Sequence, residues 1–314
     1  MIVHKSEYLE FLLSKGFKEE TIRRIDIYLE QYWTWLQTKS IADIRQVTPT
    51  TIMDYQLYLT EYRKTNGQNL HPLTIVSKLS VVRGYFGYLL KRRDIFLNPT
   101  LDVDLPKVGR YLPKNILTQD EAKRLLELPK DDLMGIRDKA ILEILYSAGI
   151  RSGELRKLDI YDINLHDKLV HIKNPKNKKD RIVPTGDKAK SAIEEYLLKS
   201  RSRLARVSSA DPKENALFLS QYGKRMSKGS IPYILRTYSK KMNLGKRITP
   251  HCLRHSFATH LLGNGAELPI IQKLLGHTRI KTTQIYLQIA QPDLKKTIKD
   301  CHPRERIKTL NQAA

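Results

Sequence analysis

Four residues able to act together on a phosphoryl centre crowd into TPHCLRHSFATHLLGNGAELPIIQKLLGHTRIKTTQIYL, Thr249 to Leu287. They are His251, Arg254, His277 and Tyr286. A phenol is a potential nucleophile, an imidazole can carry its proton, and a guanidinium can neutralise charge on a non-bridging oxygen. Thr249 and Pro250 read as the N-cap and first position of a helix. His251 and Arg254, three apart, leave the same face of its first turn, where free backbone N–H groups already favour an anion. A second helix runs from about Glu267 to Gly276, a C-terminal cap, and His277 follows at once. Tyr286 sits near the start of a third, begun around Lys281 to Thr283.

Simpler roles exist for each residue alone. His251 and His255 have zinc-pair spacing, but further ligands are lacking and Cys252 and Leu253 stand where HExxH needs its glutamate. No metal is expected. An isolated Tyr286 would be a core aromatic, and His-x-x-Arg alone is common on surfaces.

The rest of the chain supports the combined reading. Its 314 residues suffice for two domains, and the net charge of +23 calls for a polyanionic partner, through steering and counterion release. Residues 1–105 hold 14 of the 56 basic and 12 of the 33 acidic residues, so the excess lies in residues 106–314, with 42 and 21. No amphipathic helix with a broad apolar face suggests a membrane surface, and no apolar run is long enough to span one. The N-terminus lacks the apolar core of a signal peptide, and Cys252 and Cys301 have no paired spacing. A cytoplasmic, nucleoid-associated protein is the expectation.

Helical periodicity dominates residues 1–105. Apolar stripes are expected within residues 4–15, through Ile22, Ile25, Leu29, Trp33 and Leu36, from Thr48-Pro49 to a stop at Asn66-Gly67, and from Pro72 through Leu89. They predict a four-helix bundle whose exposed Lys78, Arg83, Lys91, Arg92 and Arg93 could touch a phosphate backbone. Pro106 and Pro113 mark residues 106–116 as a linker, and Thr118 with Glu121 forms a capping box that restarts the helices.

In the second domain, helices are expected at about 119–128 and 133–148. The latter ends in SAGIRSGELRKLD, a tight corner that would hold Arg151 beside a phosphate, with Glu154 orienting it through a hydrogen bond. The runs Ile160–Leu165, Leu169–Ile172 and Arg181–Val183 predict a small antiparallel sheet. Its second turn carries Lys173, Lys176, Lys178 and Lys179 and would enter a DNA groove. Arg201, Arg203, Arg206, Lys224, Arg225 and Lys228 flank a short apolar piece, Leu217–Leu219, as further phosphate contacts. The fold class is therefore mainly α with a small antiparallel sheet: a helical bundle followed by a mixed α+β domain.

The order Arg151, Lys176, His251-x-x-Arg254, His277, Tyr286 resembles the tyrosine recombinases, in particular the compact Xer-like integrases. GIRSGEL, KNKKDRIVP, TPHCLRHSFATHLL and LLGHTRIKTTQIY stand in family order and spacing. The resemblance implies a core-binding domain at 1–105, a catalytic domain at 117–290 and an assembly tail at 291–314. It implies strand cleavage through a 3′-phosphotyrosyl link to Tyr286, with Arg151 and Arg254 clamping the phosphate and His251 and His277 supporting proton movement. Lys176 would be the general acid, being eight residues before Pro184 as in the family, with Lys179 the runner-up. Arg83, Lys179, Arg181, Lys224 and Arg225 are the candidate DNA contacts. The partners implied are double-stranded DNA bearing a specific recombination site and a homo- or hetero-tetramer on two such sites, without cofactor. A type IB topoisomerase and a non-catalytic DNA-binding regulator of the same fold are the alternatives.

Overall fold

The computed structural model describes residues 4–107, 109, 115–173, 180–207 and 214–276, and it divides into two compact units, Met1–Arg110 and Tyr111–Ala314.

Among the described residues the first unit holds four α-helices: α1 (Lys5–Ser14), α2 (Glu19–Thr38), α3 (Pro49–Glu61) and α4 (Pro72–Arg92). Thr48 starts α3 as its side chain accepts from the Thr51 amide at 3.2 Å, with Pro49 at the first position. The predicted stripes are the buried faces. Leu29, Leu36, Leu59, Phe86 and Leu89 are at most 1% exposed, each contributing about 1.5–3 kcal/mol by burial. Tyr32 meets Tyr55 edge-on at 4.7 Å between centroids. One end differs from expectation. α3 stops at Glu61, and Asn66-Gly67 instead turns a short loop that pairs Arg63 with Asn69.

The second unit is built round α6 (Leu133–Ala148), most of whose side chains are buried. Asp132 caps it, its carboxylate accepting from Met134 and Gly135 N–H at 3.1 and 2.7 Å. Before it lies α5 (Gln119–Glu127), opened by the reciprocal Thr118–Glu121 capping box. After it come the one-turn α7 (Ser152–Leu155) and the antiparallel sheet β1 (Ile163–Asn164), β2 (Leu169–Ile172) and β3 (Arg181–Pro184), in that order. β2 and β3 pair with Val170 opposite Val183 and Ile172 opposite Arg181. The predicted first strand is shorter than expected. Asp162 accepts from the Asp159 amide at 2.9 Å and winds residues Ile160–Asp162 into a 3₁₀ turn.

A long helix then runs from α8 (Asp187–Glu195) through a π segment (Tyr196–Arg201) into α9 (Ser202–Val207). Past the bridges that join Asp159 to Ala216 and Leu219 to Arg225 come α10 (Ser230–Met242), α11 (Pro250–Gly263) and α12 (Leu268–Leu275). No helix among the described residues is long and apolar enough to cross a membrane.

Candidate active site

Gly149 creates the corner on which the site is built. It ends α6 at φ 58°, a conformation that glycine adopts without penalty, and turns the chain so that Arg151 becomes the N-cap residue of α7. Glu154, three residues on, reaches back. Its two oxygens accept from the Arg151 backbone N–H at 2.8 Å and from Arg151 Nη1 at 2.9 Å. Arg151 itself keeps 40% of its side chain exposed.

Arg254 comes from the first turns of α11, which starts where Thr249-Pro250 predicts, with Thr249 Oγ1 accepting from the Cys252 amide at 3.1 Å. It is 4% exposed. Nη1 donates to the Gly149 carbonyl at 2.8 Å and Nη2 to the Leu275 carbonyl at 2.7 Å. Those oxygens terminate α6 and α12, so the negative ends of two helix dipoles face one guanidinium. A buried cation held this way has a fixed orientation.

His251 stands one turn earlier on α11 with its edge open to solvent. Packing round the ring, then the charges of Arg254 and Arg151, lower its pKa. It is therefore a neutral imidazole at pH 7, able to accept a proton. The Arg254 bond to the Gly149 carbonyl, two residues before Arg151, and the three-residue step from His251 to Arg254 on α11 bring the three into one neighbourhood. His255, deeper in the same helix, is pushed down to about 4, by burial and then by His251 and Arg254. No group of three or more potential metal ligands occurs among the described residues.

Three of the arginines read as candidate DNA contacts also hold the protein together. Arg83 Nη2 donates to the carbonyls of Thr100 and Val103, fastening the segment after α4. Both terminal nitrogens of Arg225 are taken, by the carbonyls of Arg156 and Leu158 and by Asp159 and Glu214. Arg181 is bound to Glu154 and the Leu274 carbonyl. Arg201 likewise donates to the carbonyls of Glu214, Ala216 and Leu217. Buried carbonyls need donors, and a guanidinium supplies several at once. Lys224 is exposed. Lys176, Lys179, His277, Tyr286 and the tail 291–314 lie outside the described residues.

The sequence reading missed His260. Its Nε2 lies 2.8 Å from the Leu117 carbonyl and must donate, so Nδ1 accepts from the Tyr146 hydroxyl at 2.7 Å. This clip ties α11 to α6 and to the start of the second unit. Its spacing of nine from His251 is two and a half helical turns and puts it on the opposite face of α11, so nothing in the sequence linked it to the other site residues.

The profile of the phage integrase family matches residues 115–292. The chain belongs to that family. A tyrosine recombinase XerC of Pelotomaculum thermopropionicum is 35% identical over 308 residues, covering 98% of this chain and 100% of the relative. A tyrosine recombinase XerD of Oceanobacillus iheyensis is 35% identical over 300 residues, covering 95% and 97%. Among solved structures, XerA recombinase is 29% identical with a TM-score of 0.52, covering 96% of this chain and 98% of that one. XerH recombinase bound to a palindromic difH substrate, 21% identical over 89% of this chain and 79% of its own, shares the fold with a TM-score of 0.71. This family member is a site-specific tyrosine recombinase, an enzyme that cleaves and rejoins DNA strands. Nothing in these similarities favours a topoisomerase or a non-catalytic regulator.

Proposed function

We propose that this recombinase cleaves DNA by attack of the Tyr286 phenolic oxygen on a backbone phosphorus. The new O–P bond replaces the bond to the 5′-oxygen, leaving a 3′-phosphotyrosyl ester. The ester conserves the energy of the broken bond, so the 5′-hydroxyl of another strand can reverse the step without ATP or metal. Arg151 and Arg254 clamp the non-bridging oxygens, the electrostatic contribution that usually dominates such reactions. His251 takes the phenolic proton, His277 supports the phosphoryl group, and Lys176, with Lys179 the alternative, protonates the departing 5′-oxygen.

The observation that carries this reading is the pairing of a fixed, dehydrated Arg254 with a more exposed Arg151 beside His251, which burial first, and then their charges, favours as the neutral imidazole. A tyrosine of ordinary pKa near ~10 needs that combination of base and charge stabilisation.

The partner is double-stranded DNA bearing a specific recombination site. The 42 basic residues of positions 106–314 supply attraction, and the protein is expected to associate with the nucleoid. Four protomers on two sites exchange strands, with residues 1–105 as the core-binding domain, 117–290 as the catalytic domain and 291–314 as the assembly tail. Chromosome dimer resolution and mobile-element integration or excision use the same chemistry, and the target sequence distinguishes them. Denaturing capture of covalent protein–DNA complexes from cells maps that target. A nicked duplex of the mapped sequence should then trap a covalent adduct with the wild-type protein and none with Tyr286→Phe. An undiminished adduct in that variant would refute the assignment.

A further inference from the structure

Arg181 opens β3, opposite Ile172, on the strand leaving the lysine-rich turn. Its side chain is 14% exposed. Nη1 and Nη2 donate to the two oxygens of Glu154 at 3.0 and 2.8 Å, a side-by-side geometry, while Nε donates to the Leu274 carbonyl at 3.2 Å. The same carboxylate holds Arg151. Gly276, the cap of α12, lies against this side chain, for a Cβ there would be 3.0 Å from Arg181 Cδ. One side chain thus joins the return strand of the hairpin, the corner that carries Arg151, and the end of the helix after which His277 follows.

We propose that Arg181 is a positioning residue: it holds Glu154, and through it Arg151, against the end of α12, and does not itself contact DNA. This rests on the reading of Arg151 as a phosphate ligand. Three of the five N–H groups of Arg181 already have protein acceptors and its side chain is 14% exposed, whereas Arg151 beside it is 40% exposed, so an incoming phosphate meets Arg151 first. Charge gives the arrangement its purpose. One carboxylate shared between two guanidiniums leaves a net positive charge, and it falls on Arg151, the more exposed of the two. Without Arg181, Glu154 would pair with Arg151 alone and cancel the charge meant for the phosphate.

The surroundings support a specific response to pH. Burial by itself would raise the Glu154 pKa, but the hydrogen bonds and charges of Arg181 and Arg151 outweigh it and settle it at about 2. Glu154 also shares a cleft with Arg156, Lys157, Asp162, Lys173 and Arg225, where Lys173 pairs with Asp162 at 2.6 Å and Arg225 with Asp159 at 2.5 Å. His251, on α11, feels the charge of Arg151 as well. Loss of Arg181 therefore falls chiefly on Glu154, whose carboxyl should titrate higher than in the wild type, since burial would then oppose Arg151 alone.

The test compares wild type, Arg181→Met, Arg181→Lys, Glu154→Gln and the Arg181→Met/Glu154→Gln pair. At saturating nicked duplex of the mapped sequence, Arg181→Met should form adduct about 100-fold more slowly, as for a reacting group misplaced by an ångström, with affinity and salt slope unchanged. Its rate should gain an acid-side inflection at higher pH than the wild type, one that the double variant lacks, and the double variant should be no slower than Arg181→Met. Arg181→Lys keeps the charge but not the fork, so it should be intermediate. In the protein without DNA, the Arg151 amide should exchange with solvent about 10-fold faster in Arg181→Met. A normal rate at saturation with a salt slope shallower by about 0.9 would make Arg181 a phosphate ligand and overturn the proposal. So would an unchanged Arg151 amide. Should circular dichroism show Arg181→Met unfolded, Arg181→Lys carries the test, and wild-type rate and exchange there would overturn it. A wild-type protein that forms no adduct would count against the proposed function, whereas the amide measurement still decides the role of Arg181.

Discussion

Gly149→Ala should damage the second unit far more than a single methyl group suggests. At φ 58°, an L side chain costs roughly 1–2 kcal/mol relative to glycine. The new Cβ would also lie 2.3 Å from Cδ1 and 2.6 Å from Cε1 of Phe257, a ring only 8% exposed and unable to step aside. Overpacking of this kind costs about 1–3 kcal/mol, so the total is about 2–5 kcal/mol. At about 2–4 °C per kcal/mol for a unit of this size, the melting temperature should fall by roughly 5–15 °C. The assay can be confined to the right unit. The chain has two tryptophans, Trp33 and Trp35, both in Met1–Arg110, so their fluorescence follows the first unit while far-ultraviolet circular dichroism follows both. The dichroism transition should move and the fluorescence transition should not. The loss should also shrink by about 1–3 kcal/mol in a Phe257→Ala background, where the clash is absent. A dichroism shift under about 2 °C, or the same loss with and without the Phe257 ring, would refute the reasoning.

Lys176→Ala should fail on ordinary DNA yet cleave nearly normally when sulfur replaces the 5′-bridging oxygen, because that leaving group needs little protonation; rescue of Lys179→Ala instead would transfer the role. In the DNA-free protein, proton NMR should show His251 titrating below its ordinary 6.5 and His255 near 4, both lowered first by burial. Each favours the neutral imidazole of the fold, so their contribution to stability is complete above pH 6.5 and declines as pH falls through the folded values; a His251 value at or above 6.5 would contradict the site geometry. The tail segment has Leu294, Ile298 and Cys301 at helical spacing on a stripe too small to stand alone. Truncation after Gln291 should leave one-site DNA binding close to intact on native gels and weaken two-site complexes, and unchanged synapsis would remove the tail from assembly.

Helix starts were legible because they are local chemistry. Thr48-Pro49, Thr118 with Glu121, and Thr249-Pro250 each cap a helix through side chains within three residues of the amides they satisfy. The neighbourhood of Arg151, Glu154, His251 and Arg254 followed from their types and order. The duties of the other arginines were not legible, because their partners are carbonyls brought from far along the chain. Arg225 reaches across 69 and 67 residues, and Arg83 across 17 and 20. In β3 the facing runs against residue type. Its alternation turns Arg181 and Val183 inward and leaves Ile182 62% exposed, the reverse of what residue type predicts. Charge attracted from inside, by Glu154, overrides the preference for an apolar face.

The two arginines of the proposed clamp also differ in how a lineage could lose them. Arg254 is held by the backbone carbonyls of residues 149 and 275, and every amino acid carries a carbonyl. Substitution at Leu275 changes a side chain without removing the acceptor, so that grip is insulated from point mutation except where glycine alone can supply the turn. Arg151 hangs from one carboxylate side chain, and a single codon change at Glu154 releases it. Drift should therefore find the enzyme's weak point at the exposed arginine, while the buried one stays fixed for as long as the two helix ends meet.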